Sequence, residues 1–167
     1  MIFKKYPLLL LFCLSLSVAY AQDTPTALAA KNLDAWHQAA SNADFDTYFS
    51  LMTSQGVFVG TDASEHWENK AFRDFSRPYF KAGKAWSFTS LERHMYTRAG
   101  VIWFDELLDT QMGICRGSGV MELEAGQWKV AHYVLSIAVP NDKVSALLEL
   151  KKAQDSLFVK KLLGLDL

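Results

Sequence analysis

Between residues 85 and 139 the sequence settles into a period of two and keeps it through four successive runs, at 85–97, 101–109, 112–124 and 127–139. Alternation of apolar and polar residues is the period of a half-buried strand, in which neighbouring side chains face opposite ways. The runs are separated by Arg98-Ala99-Gly100, by a polar step around Thr110 and by Ala125-Gly126. Links this short join antiparallel neighbours, because a parallel return needs about a dozen residues or more. The chain therefore commits to a four-strand meander that ends at Pro140, and one face of such a sheet has to be covered.

The residues before the meander supply the cover. Thr24-Pro25-Thr26 can start a helix. Ala29, Leu33, Trp36 and Ala40 follow at helical spacing, which gives that helix an apolar stripe. A second short helix is expected from Asp44 or a neighbour, with Phe45, Phe49 and Met52 on one side, and a short strand from Gly56. A polar loop over Asp62, Ser64 and Glu65 leads to a third helix carrying Phe72, Phe75 and Tyr79. Asp62, Ser64 and Glu65 are expected to form a turn and cap that helix, Pro78 to kink or interrupt it, and Gly83 to end it. Helices first and a meander after is an α+β plan, with a long curved antiparallel sheet wrapped around N-terminal helices.

The two ends read differently from the middle. Lys4 and Lys5, an apolar run from Leu8 to Val18, and Ala19-Tyr20-Ala21 have the form of a secretory signal peptide over residues 1–21. Periplasmic or secreted localisation is expected, with no stable membrane anchor after cleavage. Cleavage takes away two lysines and Cys13, moving the net charge from −1 to about −3. That balance offers no basic field for nucleic acid. Cys115 is then the one cysteine, expected as a buried small apolar residue. Residues 22–141 form the expected domain. Residues 142–167 form a helical tail, with Lys143, Lys151, Lys152, Lys160 and Lys161 among Leu147, Leu148, Leu157, Phe158 and Leu162. At 50% hydrophobic and 13% aromatic residues, the chain can fill a sizeable core.

The local sequences narrow the fold further. Gly60, Thr61, Asp62, Glu65 and Trp67, then Trp103, Phe104, Asp105 and Glu106, then Arg116, Ser118, Leu135, Ser136, Val139, Pro140 and Asn141 resemble the SnoaL-like group of the NTF2-like (cystatin-like cone) superfamily. The resemblance covers residues 27–141. It implies an α+β cone with one open mouth and a dimer built on the cone's outer wall. It is less specific for activity, because isomerases, cyclases, dehydratases and plain binders share that cone.

The meander poses one sharp question, which of the adjacent acids Asp105 and Glu106 faces the hollow. One phase turns Trp103, Asp105, Arg116, Ser118 and His132 inward, and this is the expected arrangement. Asp105 and His132 are then the candidate acid–base pair, with Arg116 holding Asp105 ionised. Trp36, Phe58, Trp67, Trp103, Arg116 and Ser118 become the candidate ligand-binding wall of an apolar cavity. The opposite phase turns Glu106, Cys115, Tyr133 and Leu135 inward and leaves Asp105 on the convex side. His37, His66, His94 and His132 are scattered without metal-ligand spacing, so no metal and no cofactor is expected. Gly117-Ser118-Gly119 lies inside a strand pattern and is expected to let the sheet bend. The expected function is binding of a small apolar ligand by a homodimer. The alternatives are a cofactor-independent isomerase or cyclase and a protein-assembly module.

Overall fold

The computed structural model describes residues 23–165. The expected signal peptide, with Cys13, lies outside them. Helix α1 (Pro25–Ser41) starts where the sequence places it, with the Thr24 hydroxyl accepting the Ala27 N–H and Pro25 in the first turn. Helix α2 (Phe45–Ser50) is capped by the Asp44 carboxylate, which accepts the Thr47 N–H at 3.0 Å. Strand β1 (Met52–Val59) begins four residues before Gly56. The polar loop ends in a short strand β2 (His66–Glu68), too brief for alternation to mark. Asp62 makes the expected turn by accepting the Ser64 N–H and hydroxyl, at 2.8 and 2.6 Å. It does not cap helix α3 (Asn69–Lys81), whose N-cap is Glu68 with no side-chain bond. Pro78 does not interrupt α3 either. It falls in the last turn, and the helix runs on to Lys81.

The meander forms as expected, from β3 (Phe88–Arg98), β4 (Val101–Thr110), β5 (Gly113–Glu124) and β6 (Gln127–Ile137). Each link is a two-residue hairpin loop, closed by the pairs Arg98↔Val101, Thr110↔Gly113 and Glu124↔Gln127. Ala99-Gly100 and Ala125-Gly126 take positive φ at both positions, the backbone that matches the twist of the strands they join. β1 adds to β6 in parallel and β2 to β1 antiparallel, so the six-strand sheet has the order β2-β1-β6-β5-β4-β3. The register slips between Ser90 and Glu92 and between Val120 and Met121, and such bulges bend a sheet. Helices α1, α2 and α3 pack into the curved inner face. The core there is aromatic: Trp36 stacks on Tyr48 at 4.8 Å and meets Tyr133 edge-on at 4.9 Å, and Phe58 stacks on Phe72 at 4.3 Å.

After a short 3-10 turn at Asn141–Lys143 comes helix α4 (Val144–Leu163), ended by Gly164 at φ 67°. No residue of α4 is buried. Among the described residues, no helix is long and apolar enough to cross a membrane.

Candidate functional site

The structure answers the question of the adjacent acids against the expected phase. On β4, Ile102, Phe104, Glu106 and Leu108 face the helices, and Glu106 is 0% exposed. Cys115, Met121, Tyr133 and Leu135 are buried on the same face. Asp105, Trp103, Arg116, Ser118 and His132 all lie on the outer face. Trp103 is 43% exposed there, stacked on Tyr96 at 5.8 Å. Asp105 does sit beside Arg116, at 4.0 Å, but both are in solvent, and His94 is its nearer neighbour at 3.4 Å. Asp105 pairs across the sheet with Ser118 and Val134, whereas His132 belongs to the neighbouring row with Val120. The expected acid–base pair is thus not assembled.

The physical reason lies in two places. On β4 the even face carries three large aliphatic or aromatic residues and one acid, while the odd face carries both Asp105 and Asp109. Burying the even face strands one carboxylate instead of two. On β6 the bulge at Ala131 switches the phase, so Trp128 and Val130 point inward before it and Tyr133 and Leu135 after it. His132 therefore leaves the face that unbroken alternation assigns it.

Glu106 is buried with a full set of partners. Its Oε1 accepts from His37 Nε2 at 2.7 Å and from the Tyr133 hydroxyl at 2.9 Å. Its Oε2 accepts from Arg93 Nε at 2.9 Å, with Nη2 of the same guanidinium 2.8 Å away. Arg93 Nη1 donates onward to Asp34 at 2.7 Å and to the Ala30 carbonyl at 3.4 Å. A carboxylate only accepts, so His37 presents a proton to it on Nε2. Burial pushes the Glu106 carboxyl up, but the hydrogen bonds and charges of His37 and Arg93 outweigh it and hold the group below its ordinary range. The same burial, with the Glu106 charge beside it, pushes the Tyr133 phenol well above its ordinary value.

This network ties α1, through Ala30, Asp34 and His37, to β3, β4 and β6. Gly117 makes room for it: a Cβ there would stand 2.2 Å from the Tyr133 hydroxyl. A proton-abstracting group needs reach to a substrate and a basicity near neutrality. Glu106 has neither, so its role is to pin the first helix to the sheet. Among the described residues, no group of three His, Cys, Asp or Glu side chains is placed to hold a metal ion.

A polar cleft opens beside Asp34, His37, Ser87 and Ser90, and an aromatic-lined one lies apart from the network, at the mouth of the cone. A cavity of about 270 Å³ is walled by Phe58, Trp67, Phe72, Phe75, Tyr79 and Trp86. Its rim carries Thr61, Glu65 and Gln111, and Leu135 and Phe88 close its inner side. Of the expected ligand-binding residues, Phe58 and Trp67 line this cavity, Trp36 is core beneath it, and Trp103, Arg116 and Ser118 are on the far side of the sheet. Phe75, Tyr79 and Trp86, which spacing alone gives no part in a site, complete its wall. The signal for the first two was their exposure on a helix that also needs Phe72 for the core, since a large apolar residue left at the surface beside a buried one often lines a cleft.

A curved, unclosed sheet cradling N-terminal helices, with an apolar cavity at its mouth, defines an NTF2-like protein. The sequence model of the SnoaL-like domain matches residues 30–140, and the chain belongs to that family. The fold is shared with an NTF2-like protein of unknown function from Pseudomonas putida (12% identity, TM-score 0.60, covering 72% of this chain and 92% of that one). It is shared with an NTF2-like protein from Cytophaga hutchinsonii (13% identity, TM-score 0.60, 70% and 100% covered). A dehydratase candidate of the NTF2-like family from Streptomyces avermitilis is similar too (11% identity, TM-score 0.61, 68% and 95% covered). No curated protein sequence matches the chain.

Proposed function

We propose that this SnoaL-like domain is an exported binder of a small, largely apolar ligand, held at the cone's mouth. The observation that carries the reading is the aromatic cavity itself, a concave apolar surface edged by a few polar groups. The Glu106 network supports it indirectly, because the buried acid that invites a catalytic reading is spent on holding the fold. Export rests on the signal-peptide pattern of residues 1–21. The test is titration with a neutral naphthyl probe such as N-phenyl-1-naphthylamine, whose fluorescence rises in apolar surroundings. Saturable binding is expected for the wild type. Ala85→Trp, which plugs the cavity from its half-buried wall, is expected to lower the affinity by at least about tenfold without lowering the melting temperature, a loss of about 1.4 kcal/mol. Equal binding by the two proteins overturns the reading.

The protein also acts as a homodimer in this proposal, joined through the outer face of the sheet. Leu91, Tyr96, Trp103 and Ile114 are exposed along the meander strands, and an apolar surface of that kind marks an interaction site. Trp103→Glu is expected to convert dimer to monomer in sedimentation equilibrium while the fold survives, because Trp103 makes no core contact. A wild-type protein that sediments as a monomer contradicts it.

A further inference from the structure

The lining of the mouth cavity carries a charge signature as well as an apolar one. Among the described residues, Glu65 is the one charged side chain on its wall, and no Lys or Arg joins it there. The cations of α3 are turned elsewhere: Arg73 lies over the rings of Phe45 and Phe49, at 5.2 and 4.7 Å, and Arg77 over Phe45 at 4.6 Å. The rings of the wall form a continuous set. Trp67 stacks on Phe75 at 4.3 Å and lies 5.7 Å from Phe72, which lies 5.8 Å from Trp86.

Glu65 is held at this wall by the backbone. Its carboxylate accepts the Asp62 N–H at 3.2 Å, and its own carbonyl accepts the Gly60 N–H at 2.9 Å. The carboxylate occupies the space a side chain would take at residue 60, since a Cβ on Gly60 would stand 2.1 Å from Glu65 Oε2. Glycine is what lets the acid fold over this edge of the cavity.

Aromatic faces carry negative quadrupole potential and attract cations that shed water easily. A carboxylate at the rim adds a full charge of the same sign. We infer that the cavity selects organic cations, with the charge on an alkylated nitrogen such as a trimethylammonium group, over neutral molecules of the same shape. The inference rests on the ligand-binding reading of this cavity and specifies its ligand class. An anionic ligand would meet repulsion from both the rings and Glu65. A primary ammonium would have to leave a tight hydration shell that an apolar wall does not replace.

The test is a pair of probes that differ only in charge, phenyltrimethylammonium and its carbon isostere tert-butylbenzene, titrated against the full-length mature protein by quenching of tryptophan fluorescence. The cation is expected to bind at least about tenfold more tightly than the isostere. Glu65→Gln, which keeps an acceptor for the Asp62 N–H, is expected to remove most of that preference by weakening the cation alone. Added salt is expected to weaken the cation and leave the isostere unchanged. If the isostere binds as tightly as the cation, the cavity is a plain apolar site, and the inference falls while the binding reading stands. If neither probe binds and the neutral naphthyl probe also fails, both fall. A preference that survives Glu65→Gln undiminished overturns the assignment to Glu65.

Discussion

Replacing Glu106 by Gln is expected to destabilise the protein by about 3–5 kcal/mol, the cost of leaving a buried charge without its partner. The substitution changes almost no volume. It takes the negative charge away from Arg93 and replaces one acceptor oxygen by an NH2 donor. One side of residue 106 meets His37 Nε2–H and the Tyr133 hydroxyl, and the other meets the Arg93 guanidinium. With the amide oxygen turned to Arg93, the NH2 meets His37 Nε2 and the Tyr133 hydroxyl, which accept it only after His37 moves its proton to Nδ1 and the phenol turns, while the guanidinium loses the charge it faces. The effect is to be read as the shift of the urea midpoint, with Asp105→Asn as comparison. Asp105 is exposed on the outer face and its ion pairs are screened, so that change is expected to stay within about 0.5 kcal/mol. The two adjacent acids thus separate cleanly, one holding the fold and the other dispensable to it.

The same pair of proteins carries a pH signature. The Glu106 carboxyl is held below its ordinary value of 4.5 in the folded protein by His37 and Arg93, against the opposing push of burial. A folded-state value below the unfolded one means that the unfolded chain takes up the proton first. The stability Glu106 contributes is therefore fully present above about pH 4.5 and is lost as the pH falls through the folded-state value. Asp44, Asp62, Asp74 and Glu124 are also held low, by their local hydrogen bonds, but they are shared by both proteins and cancel in the difference. The gap between wild type and Glu106→Gln is expected to be widest at neutral pH and to narrow below about pH 4.5. A gap independent of pH would remove the carboxylate from the account.

Gly119→Ala is expected to cost about 3 kcal/mol or more, at the upper end of what overpacking a core produces. A Cβ at this position would stand 2.3 Å from the His132 carbonyl oxygen and 2.8 Å from the Phe104 ring. The ring could turn, but the carbonyl belongs to the neighbouring strand at its bulge, so β5 and β6 would have to separate. For a domain of this size each kcal/mol lowers the melting temperature by about 3 °C, which makes a fall of about 9 °C the expected reading. Ser118→Ala, between the two glycines but on the outer face, serves as the neutral comparison. A Gly119→Ala protein as stable as the wild type would mean that the sheet can relax here and that the close approach of β5 and β6 is not required.

How the sequence announces this fold, and where it falls silent, follows from the range of each signal. The meander was legible because alternation and two-residue links are local, and Thr24 and Asp44 were legible as caps for the same reason. The inner phase of β4 was legible in principle. Ile102, Phe104 and Leu108 make a stronger apolar set than Val101, Trp103 and Leu107 accompanied by two aspartates, but the bulk of Trp103 argues the other way. The bulge at Ala131 left no mark that alternation could detect, and it alone carries His132 out of the inner face. The partners of Glu106 come from α1, β3 and β6, so no spacing motif joins them. The one trace is His37, a ring with two polar nitrogens beside Leu33, Trp36 and Ala40 on the buried stripe of α1, which needs a partner from somewhere. The two glycines were rightly placed in a strand, though they serve ring clearance as much as curvature. The cavity was half legible: Phe58 and Trp67 were assigned to it, while Trp86 arrives from a strand-like run that begins before its strand does.

In the proposed reading a buried charged pin holds the cone together and the aromatic mouth is where ligand binds. A crystal structure of the protein soaked with phenyltrimethylammonium or the neutral naphthyl probe tests that division most directly. The predicted result is density against Trp67, Phe75 and Trp86, with the Glu106, His37 and Arg93 contacts unchanged. Density beside His37 and Glu106, or on the outer face around Trp103 and Asp105 with the mouth empty, would contradict it.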